Sequence, residues 1–339
     1  MLTFRGANPA RWTSGLATLV GAVLMAAGCG SSGDGAPASG KDSCGTASVA
    51  YAASLTFLNE KIIAPAFTKA TGCGYSGRAG PSDGLESEIA SGEITPDVFE
   101  AIGGDNITPL FPRFTKWYVQ YAATSIVVAY NPRSKYASQF AAIASGRRPL
   151  ADLFALMGKP GFLLGRTDPN LDPQGRAFIY MLELAQAKYH LPKDTVTKIL
   201  GGPLASPDSK EIFDEAALEP RLEAGQLDAS SAYLSQAVQL HLHYIRLPAA
   251  INLGDAALAA RYHTASITIT GNVTKHGSPL VTDITTIGKP SEAGTAYVAY
   301  VLSKAGRALY AKGGYTLLTP AAFGTVSAIP AQVRAELGG

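Results

Sequence analysis

In the segment ASVAYAASLTFLNEKIIAPAFTKATG (residues 47–72), an apolar run is followed directly by a helical pattern, and this order indicates the class of fold. Residues 47–52 form a short, mostly apolar run, which is typical of a buried strand. Leu55, Leu58 and Ile62 then recur at the spacing of one helix face. We therefore expect a strand followed by a helix that packs on the sheet to which the strand belongs.

The same alternation continues along the chain. GYSGRAG (74–80) is typical of a second strand, DGLESEIASG (83–92) of a second helix, and DVFEAI (97–102) of a third strand. Strands that alternate with helices predict an α/β fold in which a parallel sheet carries helices on both faces. Ligands of such sheets bind beyond the carboxyl ends of the strands, where helix N-termini point.

The later part of the chain repeats this pattern. YAATSIVVAYNP (121–132) is an apolar run stopped by Asn-Pro. SITITG (266–271) and PLVTDITTIG (279–288) are predicted strands, and residues 291–314 are predicted to form two final helices. The chain has 339 residues, which is long enough for two lobes with cores of their own.

Composition excludes some classes of protein. The chain is 47% hydrophobic and 16% charged, as in ordinary globular proteins, and its net charge is +2. It has no long acidic or basic run, so we expect no nucleic-acid partner. Beyond residue 28 we find no run of residues apolar enough to cross a membrane.

The N-terminus has the pattern of a secretory leader. Arg5 and Arg11 precede the apolar segment GLATLVGAVLMAAG (15–28), which is too short to span a bilayer. We expect residues 1–28 to be a signal peptide that is removed, which lowers the net charge from +2 to zero.

The leader ends in AAGC, with small residues before Cys29, and this resembles a bacterial lipobox although Ala26 stands where leucine is more usual. The resemblance implies that Cys29 is lipid-modified and anchors the chain to the outer face of the cytoplasmic membrane. The alternative is a simple secretory signal with an incidental cysteine. Residues 29–44 are rich in Gly, Ser and Ala and predict a flexible tether.

Two cysteines remain, Cys44 and Cys73, and each comes just before a predicted strand. In an oxidising compartment we expect a disulfide that clips these strands together. The alternative is a pair of free, buried thiols.

The loop TDPNLDPQG (167–175) has acidic or amide side chains at alternate positions from Asp168, as a calcium loop does. A calcium loop needs glycine at its sixth position and glutamate at its twelfth, but Pro173 and Ile179 stand there. The loop is therefore predicted to be an Asp-Pro turn that leads into a helix, without a metal.

Six motifs together resemble the molybdate- and tungstate-binding receptors of ABC importers, and they occur in the same order. The motifs are VAYAASLTFLNEKIIAPAFTKATG (49–72), GPSDGLESEIASGEITPDVFEAI (80–102), YAATSIVVAYNP (121–132), GRTDPNLDPQGRAF (165–178), EAGQLDASSAYLSQAV (223–238) and ITITGNVTKHGSPLVTDITTIGKP (267–290). The resemblance covers most of residues 46–318.

The resemblance implies a type II-like periplasmic-binding-protein fold, in which crossing strands join two α/β lobes and the ligand lies in the cleft between them. Residues 45–125 and 281–339 would form lobe I, and residues 126–280 lobe II. The implied partners are a membrane permease and its ATPase, with a monomeric receptor and no cofactor.

Ser54 and Ser82 each precede a predicted helix after a strand, and they match the ligand serines of this family. Helix N-termini suit an oxyanion, since their free N–H groups and dipole favour negative charge. The alternative is that each serine is only an N-cap. Asp83 complicates the prediction, because a carboxylate near the anion repels it unless the side chain caps the helix.

In the second lobe, the resemblance assigns backbone N–H donors to Gln174 and Gly175 and a ligand hydroxyl to Tyr233, which is otherwise a core tyrosine. The aspartate that matches Asp172 can bind the metal centre directly in tungstate receptors, together with a glutamate. Ala232 stands at the position of that glutamate. We therefore expect a tetrahedral anion held by hydrogen bonds, with a six-fold shell that includes Asp172 as the alternative.

Other classes of protein find less support in the sequence. The five histidines show no metal-protease spacing, and neither a Gly-x-Ser-x-Gly elbow nor a phosphate-binding loop is present, so we do not expect an enzyme such as a secreted hydrolase. A receptor of the same fold for sulfate, phosphate or ferric iron remains the closer alternative.

Overall fold

The fold is described from a computed structural model that covers residues 44–202, 204 and 209–338. The predicted signal peptide, the lipid attachment at Cys29 and the tether as far as residue 43 lie outside the described residues. Within the described part of the chain, no helix combines the length and the apolar character that a membrane span requires.

Strands lie at or near each of the predicted segments 47–52, 74–80, 97–102, 121–132, 266–271 and 279–288, and further strands lie outside them. The strands of the described residues are β1 (Thr46–Ala52), β2 (Gly74–Gly80), β3 (Val98–Ile102), β4 (Trp117–Ala123), β5 (Ile126–Tyr130), β6 (Leu164–Gly165), β7 (Ala229–Tyr233), β8 (Tyr244–Ile245), β9 (Ser266–Ile269), β10 (Val273–His276), β11 (Val281–Thr286) and β12 (Thr316–Gly324). The predicted alternation of strand and helix over residues 47–102 is confirmed.

The first helical segment begins with a 3-10 turn (Ala53–Leu55) and continues through a π-helical turn (Asn59–Ile63) between α1 and α2. The α-helices are α1 (Thr56–Leu58), α2 (Ala64–Thr71), α3 (Ser82–Ser91), α4 (Ala137–Ala144), α5 (Ala151–Met157), α6 (Pro173–Tyr189), α7 (Thr195–Leu200), α8 (Glu215–Glu223), α9 (Leu234–Gln239), α10 (Ala249–Asn252), α11 (Ala259–Tyr262), α12 (Glu292–Leu302), α13 (Lys304–Lys312) and α14 (Ala331–Ala335).

The larger sheet has the strand order β12-β4-β11-β3-β1-β2 and forms the first lobe. Strand β1 runs parallel to both β2 and β3, as the sequence predicts. The sheet is mixed, because β11 pairs antiparallel with β3 and β4, and β12 pairs antiparallel with β4. Strand β11 enters this sheet from the second lobe and not through a βαβ crossover from β3 or β4, so nothing in its connection enforces parallel pairing with them.

The second lobe is built on a four-stranded sheet with the order β6-β7-β5-β8. The chain enters it where the apolar run 121–132 is interrupted between β4 and β5, and it returns to the first sheet with β11. Short connections therefore join two α/β lobes, as in periplasmic binding proteins. The predicted boundaries, 45–125 with 281–339 and 126–280, stay a prediction, and the strands of each sheet fall within one of these parts.

The neighbouring strands β1 and β2 are also linked covalently at their starts. Cys44 and Cys73 form a disulfide with their Cα atoms 5.2 Å apart. Cys73 is buried and packs in the main hydrophobic core with Phe67 and Tyr297, whose rings meet edge to face. The disulfide therefore links β1 and β2 at their N-terminal ends, and the helices begin at the opposite ends of these strands.

Candidate functional site

The carboxyl ends of β1 and β2 bring Ser54 and Ser82 to the same edge of the first sheet. The register pairs Ala52 with Gly80. Ser54 comes two residues after Ala52, and Ser82 comes two residues after Gly80. Ser54 lies in the turn that opens the first helical segment, and Ser82 is the first residue of α3. Two helix N-termini therefore point the same way from adjacent strands.

The two serine hydroxyls differ in their contacts. Ser54 is 3% exposed, and its Oγ has no hydrogen-bond partner within residues 44–202, 204 and 209–338. Ser82 is 1% exposed, and its Oγ accepts the N–H of Ile102 at 3.3 Å. A buried hydroxyl without a protein partner is unfavourable unless another group supplies the hydrogen bond, so Ser54 is the stronger candidate for a hydroxyl that binds a ligand.

Asp172, Gln174 and Gly175 lie together at the start of α6. The carboxylate of Asp172 caps the helix by accepting the Gln174 N–H at 2.7 Å, with Pro173 in the first turn. This Gln174 N–H therefore already has a partner. A Cβ at Gly175 would come within 2.5 Å of the Thr167 carbonyl oxygen, so glycine allows the loop to pack against the helix.

Tyr233 ends β7 immediately before α9. It is 1% exposed, and its hydroxyl has no hydrogen-bond partner in the part of the chain that the structure describes. Burial raises the pKa of Tyr233 well above its usual value, and the charges of Asp172 and Glu215 raise it further. The hydroxyl is therefore a neutral donor that lies close to both acids.

Glu215, the first residue of α8, belongs to the site although the sequence analysis missed it. Its Oε1 accepts hydrogen bonds from the side-chain amides of Gln174 and Gln236, each at 2.7 Å. The backbone amide of Ser54 also interacts with this carboxylate. Ser231 donates to Gln174 Oε1 at 2.8 Å and so orients the amide. Both lobes therefore meet at Glu215.

The pKa of each of the two acids in the site is raised. Burial raises the pKa of Asp172 to about 6, although the Gln174 N–H and the charge of Arg176 favour its ionised form. Burial raises the pKa of Glu215 well above its usual value, and the charge of Asp172 raises it further. The charge of Asp172 thus disfavours ionisation of Glu215, and the acid that further raises the pKa of Asp172 is Asp83.

Asp83 faces a guanidinium of the other lobe. Arg176 Nη2, in α6, lies 2.7 Å from Asp83 Oδ2 in α3, and both side chains are largely buried. Lys275 Nζ is 3.9 Å from the other oxygen of Asp83. The carboxylate beside Ser82 is therefore neutralised. Arg166, the other arginine that flanks the 167–175 loop, instead approaches Glu211 at 3.6 Å.

A cavity of about 400 Å³ lies beside Glu215. Its lining comes from the first helical segment of one lobe and from α8, β7 and α9 of the other, and it includes Ser54, Phe57, Lys61, Gln174, Glu215, Ala232 and Gln236. Among the described residues, no group of three or more His, Cys, Asp or Glu side chains is arranged to hold a metal ion.

The structure thus brings four of the predicted residues, Ser54, Asp172, Gln174 and Tyr233, close to Glu215, which was not predicted. Ser82 lies next to this group, adjoining Asp83 and its partner Arg176. Arg176 also acts electrostatically on Asp172. Gln236 is a further residue that the sequence analysis missed.

Known proteins resemble this chain in sequence and in fold. A putative ABC transporter molybdenum-binding protein of Haloferax volcanii is 35% identical over 169 residues, which are 50% of this chain and 50% of that protein. The molybdate/tungstate-binding protein WtpA of Pyrococcus abyssi is 30% identical over 64% of this chain and 67% of its own length. The chain therefore aligns with half of the first relative and about two thirds of the second.

The Azotobacter vinelandii periplasmic molybdate-binding protein has the same fold, with a TM-score of 0.55, 15% identity, and coverage of 80% of this chain and 99% of that one. A family model described as bacterial extracellular solute-binding protein matches residues 47–316. This is a family of transport receptors and not of enzymes. With most of its length matched, the chain belongs to the bacterial extracellular solute-binding proteins.

Proposed function

We propose that this protein captures a tetrahedral oxyanion, molybdate or tungstate, outside the cytoplasm and delivers it to an ABC permease with its ATPase. The names of the Haloferax and Pyrococcus relatives support the ligand class. The observation that carries the proposal is the pair of buried hydroxyls of Ser54 and Tyr233, which have no partner among the described residues. They come from different lobes, and Glu215 lies close to both Ser54 and Tyr233.

A dianion suits this arrangement because its oxygens only accept hydrogen bonds. Ser54 and Ser82 lie at helix N-termini of the first lobe, where N–H groups and the helix dipole favour negative charge. In the second lobe, the Tyr233 hydroxyl and the N–H of Gly175, in the first turn of α6, are the proposed donors. The anion is thus held by uncharged groups.

We infer a tetrahedral ligand shell in preference to a six-fold one. The carboxylate of Asp172 is already oriented toward its own helix by the hydrogen bond from the Gln174 N–H. Ala232, which lines the cavity, offers no oxygen where the tungstate receptors have a glutamate. Asp172 is therefore proposed to position α6 and to have no bond to the molybdenum or tungsten atom.

Transport needs the lobes to close on the anion and then to open at the permease. Each lobe contributes part of the donor set, so a bound anion stabilises the closed arrangement of the two lobes. No reaction is carried out on the anion. We further propose that the receptor works as a monomer tethered by a lipid on Cys29.

Isothermal titration with molybdate, tungstate, sulfate and phosphate tests this function. We expect one molybdate or tungstate per chain, bound at least about tenfold more tightly than sulfate or phosphate, a difference of about 1.4 kcal/mol. A preference for sulfate or phosphate would show that the protein is a receptor for that anion and not for molybdate or tungstate. Absence of binding by all four anions would reject the oxyanion receptor.

A further inference from the structure

The carboxylate of Glu215 occupies hydrogen-bond donors that lie in the anion site. Its Oε1 accepts from the amides of Gln174 and Gln236 at 2.7 Å each, and the backbone amide of Ser54 interacts with the same carboxylate. Ser54 belongs to the first lobe, whereas Gln174 and Gln236 belong to the second. Glu215 therefore makes the interlobe contact that a bound anion is proposed to make.

The other donors at this place have no partner within the described ranges. The hydroxyls of Ser54 and Tyr233 are buried without a hydrogen bond, although the amide donors beside them are bonded to Glu215. One carboxylate oxygen satisfies two amides, but a tetrahedral anion has four oxygens and can reach more donors. The donor set of the site is thus only partly filled by Glu215.

We propose that Glu215 is an internal competitor of the oxyanion, whose side chain must leave the donors of the cleft before an anion binds there. This inference rests on the proposed function. A carboxylate and a dianion in one cleft repel each other strongly, so both do not share the same amides. The observed affinity is then lower than the intrinsic affinity by the fraction of molecules in which these donors are free.

Glu215 has space into which it can withdraw. It is the first residue of α8 and lines the cavity of about 400 Å³, whose lining does not include Tyr233. Lys61 lines the same cavity and provides a cation toward which the carboxylate can turn. The ionisable groups that face Glu215 or its cavity are Asp172, Tyr233, Tyr315, Glu60, Lys61 and Glu219.

The opposite role for Glu215, as a carboxylate that binds the ligand directly, predicts the opposite effect of a mutation. A direct ligand contributes to affinity, so its removal weakens binding. An internal competitor lowers affinity, so its removal strengthens binding. The hydrogen bonds from Gln174 and Gln236 favour the competitor, because they hold the carboxylate in the position of an anion.

The test is calorimetric titration of molybdate and tungstate at pH 8 into the wild-type protein and into Glu215→Gln and Glu215→Ala. We expect both variants to bind the preferred anion at least about tenfold more tightly than wild type, because the competing charge is gone. Glu219→Gln is the matched control, since Glu219 lies one turn further along α8 and lines the same cavity. We expect this control to bind like wild type.

Two results overturn the inference for different reasons. If wild type binds an oxyanion and the Glu215 variants bind it equally well or more weakly, Glu215 does not compete with the anion, while the proposed receptor function stands. If neither wild type nor any variant binds molybdate, tungstate, sulfate or phosphate, the proposed function fails and the inference falls with it. Circular dichroism checks that each variant is folded, and Glu215→Ala decides the question if Glu215→Gln does not fold.

Discussion

Arg176 and Asp83 form an ion pair that joins the two lobes at the edge of the candidate site, with Nη2 and Oδ2 2.7 Å apart. Arg176 lies in the first turns of α6 and Asp83 in the first turn of α3. Arg176 Nη1 also donates to the Pro169 carbonyl at 3.1 Å. The pair therefore ties the loop of the second lobe to the helix that begins at Ser82.

Loss of Asp83 should destabilise the protein, because the Arg176 side chain is only 5% exposed and would keep its charge without the carboxylate that balances it. We expect Asp83→Asn to lower the free energy of unfolding by about 3 kcal/mol, a typical cost of breaking a buried pair. Asp83→Asn combined with Arg176→Met should recover most of this loss. Urea denaturation measures both, and Asp105→Asn at an exposed carboxylate is the control.

Ser54→Ala should weaken anion binding without weakening the fold. The Ser54 hydroxyl has no partner among the residues described, so its removal breaks no internal hydrogen bond. We expect affinity for the preferred anion to fall by about 1.5–3 kcal/mol, and by a similar amount for Ser82→Ala, as for hydrogen bonds to charged groups. Ser87→Ala, at an exposed position of α3, is the matched control. Unchanged affinity in both site variants would exclude these serines as ligands.

Tyr233→Phe tests the donor from the second lobe. The ring stays in the core while the buried hydroxyl is removed, so we expect the melting temperature to stay the same or to rise slightly. We expect affinity for the anion to fall about tenfold or more in calorimetry. Tyr189→Phe, at the far end of α6, should change neither property. A melting temperature several degrees lower with normal affinity would make Tyr233 a structural residue.

Asp172 should make stability depend on pH. Its pKa in the folded protein is raised to about 6 from 3.8, so its favourable contribution is complete below about pH 4 and is lost as the pH rises through 6. Asp172→Asn keeps an N-cap but carries no charge. We expect this variant to exceed wild type by about 1–3 kcal/mol in free energy of unfolding at pH 8 and to match it at pH 4. Lower stability of the variant at pH 8 would contradict this assignment.

Affinity should also fall as the pH rises. The pKa of Glu215 is raised by burial and by Asp172, so a higher pH converts a neutral acid into a charged competitor of the anion. Because Asp172 itself ionises near pH 6, the comparison is made in Asp172→Asn: titrations at rising pH should show weaker binding by this variant and little change for Asp172→Asn combined with Glu215→Gln. An affinity of Asp172→Asn that rises with pH would indicate that ionised Glu215 favours the ligand.

The sequence predicts the part of the site that depends on local patterns. Ser54 and Ser82 follow strands and precede helices, and the register of β1 with β2 places them at one edge. Such local patterns do not predict the residues that Glu215 and Asp83 contact. Gln174 and Glu215 are 41 residues apart, and Arg176 and Asp83 are 93 residues apart, so only the packed lobes bring them together.

The antiparallel half of the first sheet was missed for a related reason. Strand β11 is as fully buried as β3, and nothing within its residues specifies the direction of pairing. That direction follows from the return of the chain out of the second lobe. Strand β12 is largely exposed and lies at the sheet edge, so it also lacks the burial pattern of an inner strand.

The most direct test of the whole account is anomalous diffraction at a tungsten absorption edge, from crystals of the protein grown with tungstate. We predict one strong peak between the lobes, with its oxygens in hydrogen-bonding distance of the hydroxyls of Ser54 and Tyr233 and with Glu215 turned toward Lys61. A peak at another place, or no peak in this cleft from crystals grown with tungstate, would show that these hydroxyls do not bind the oxyanion.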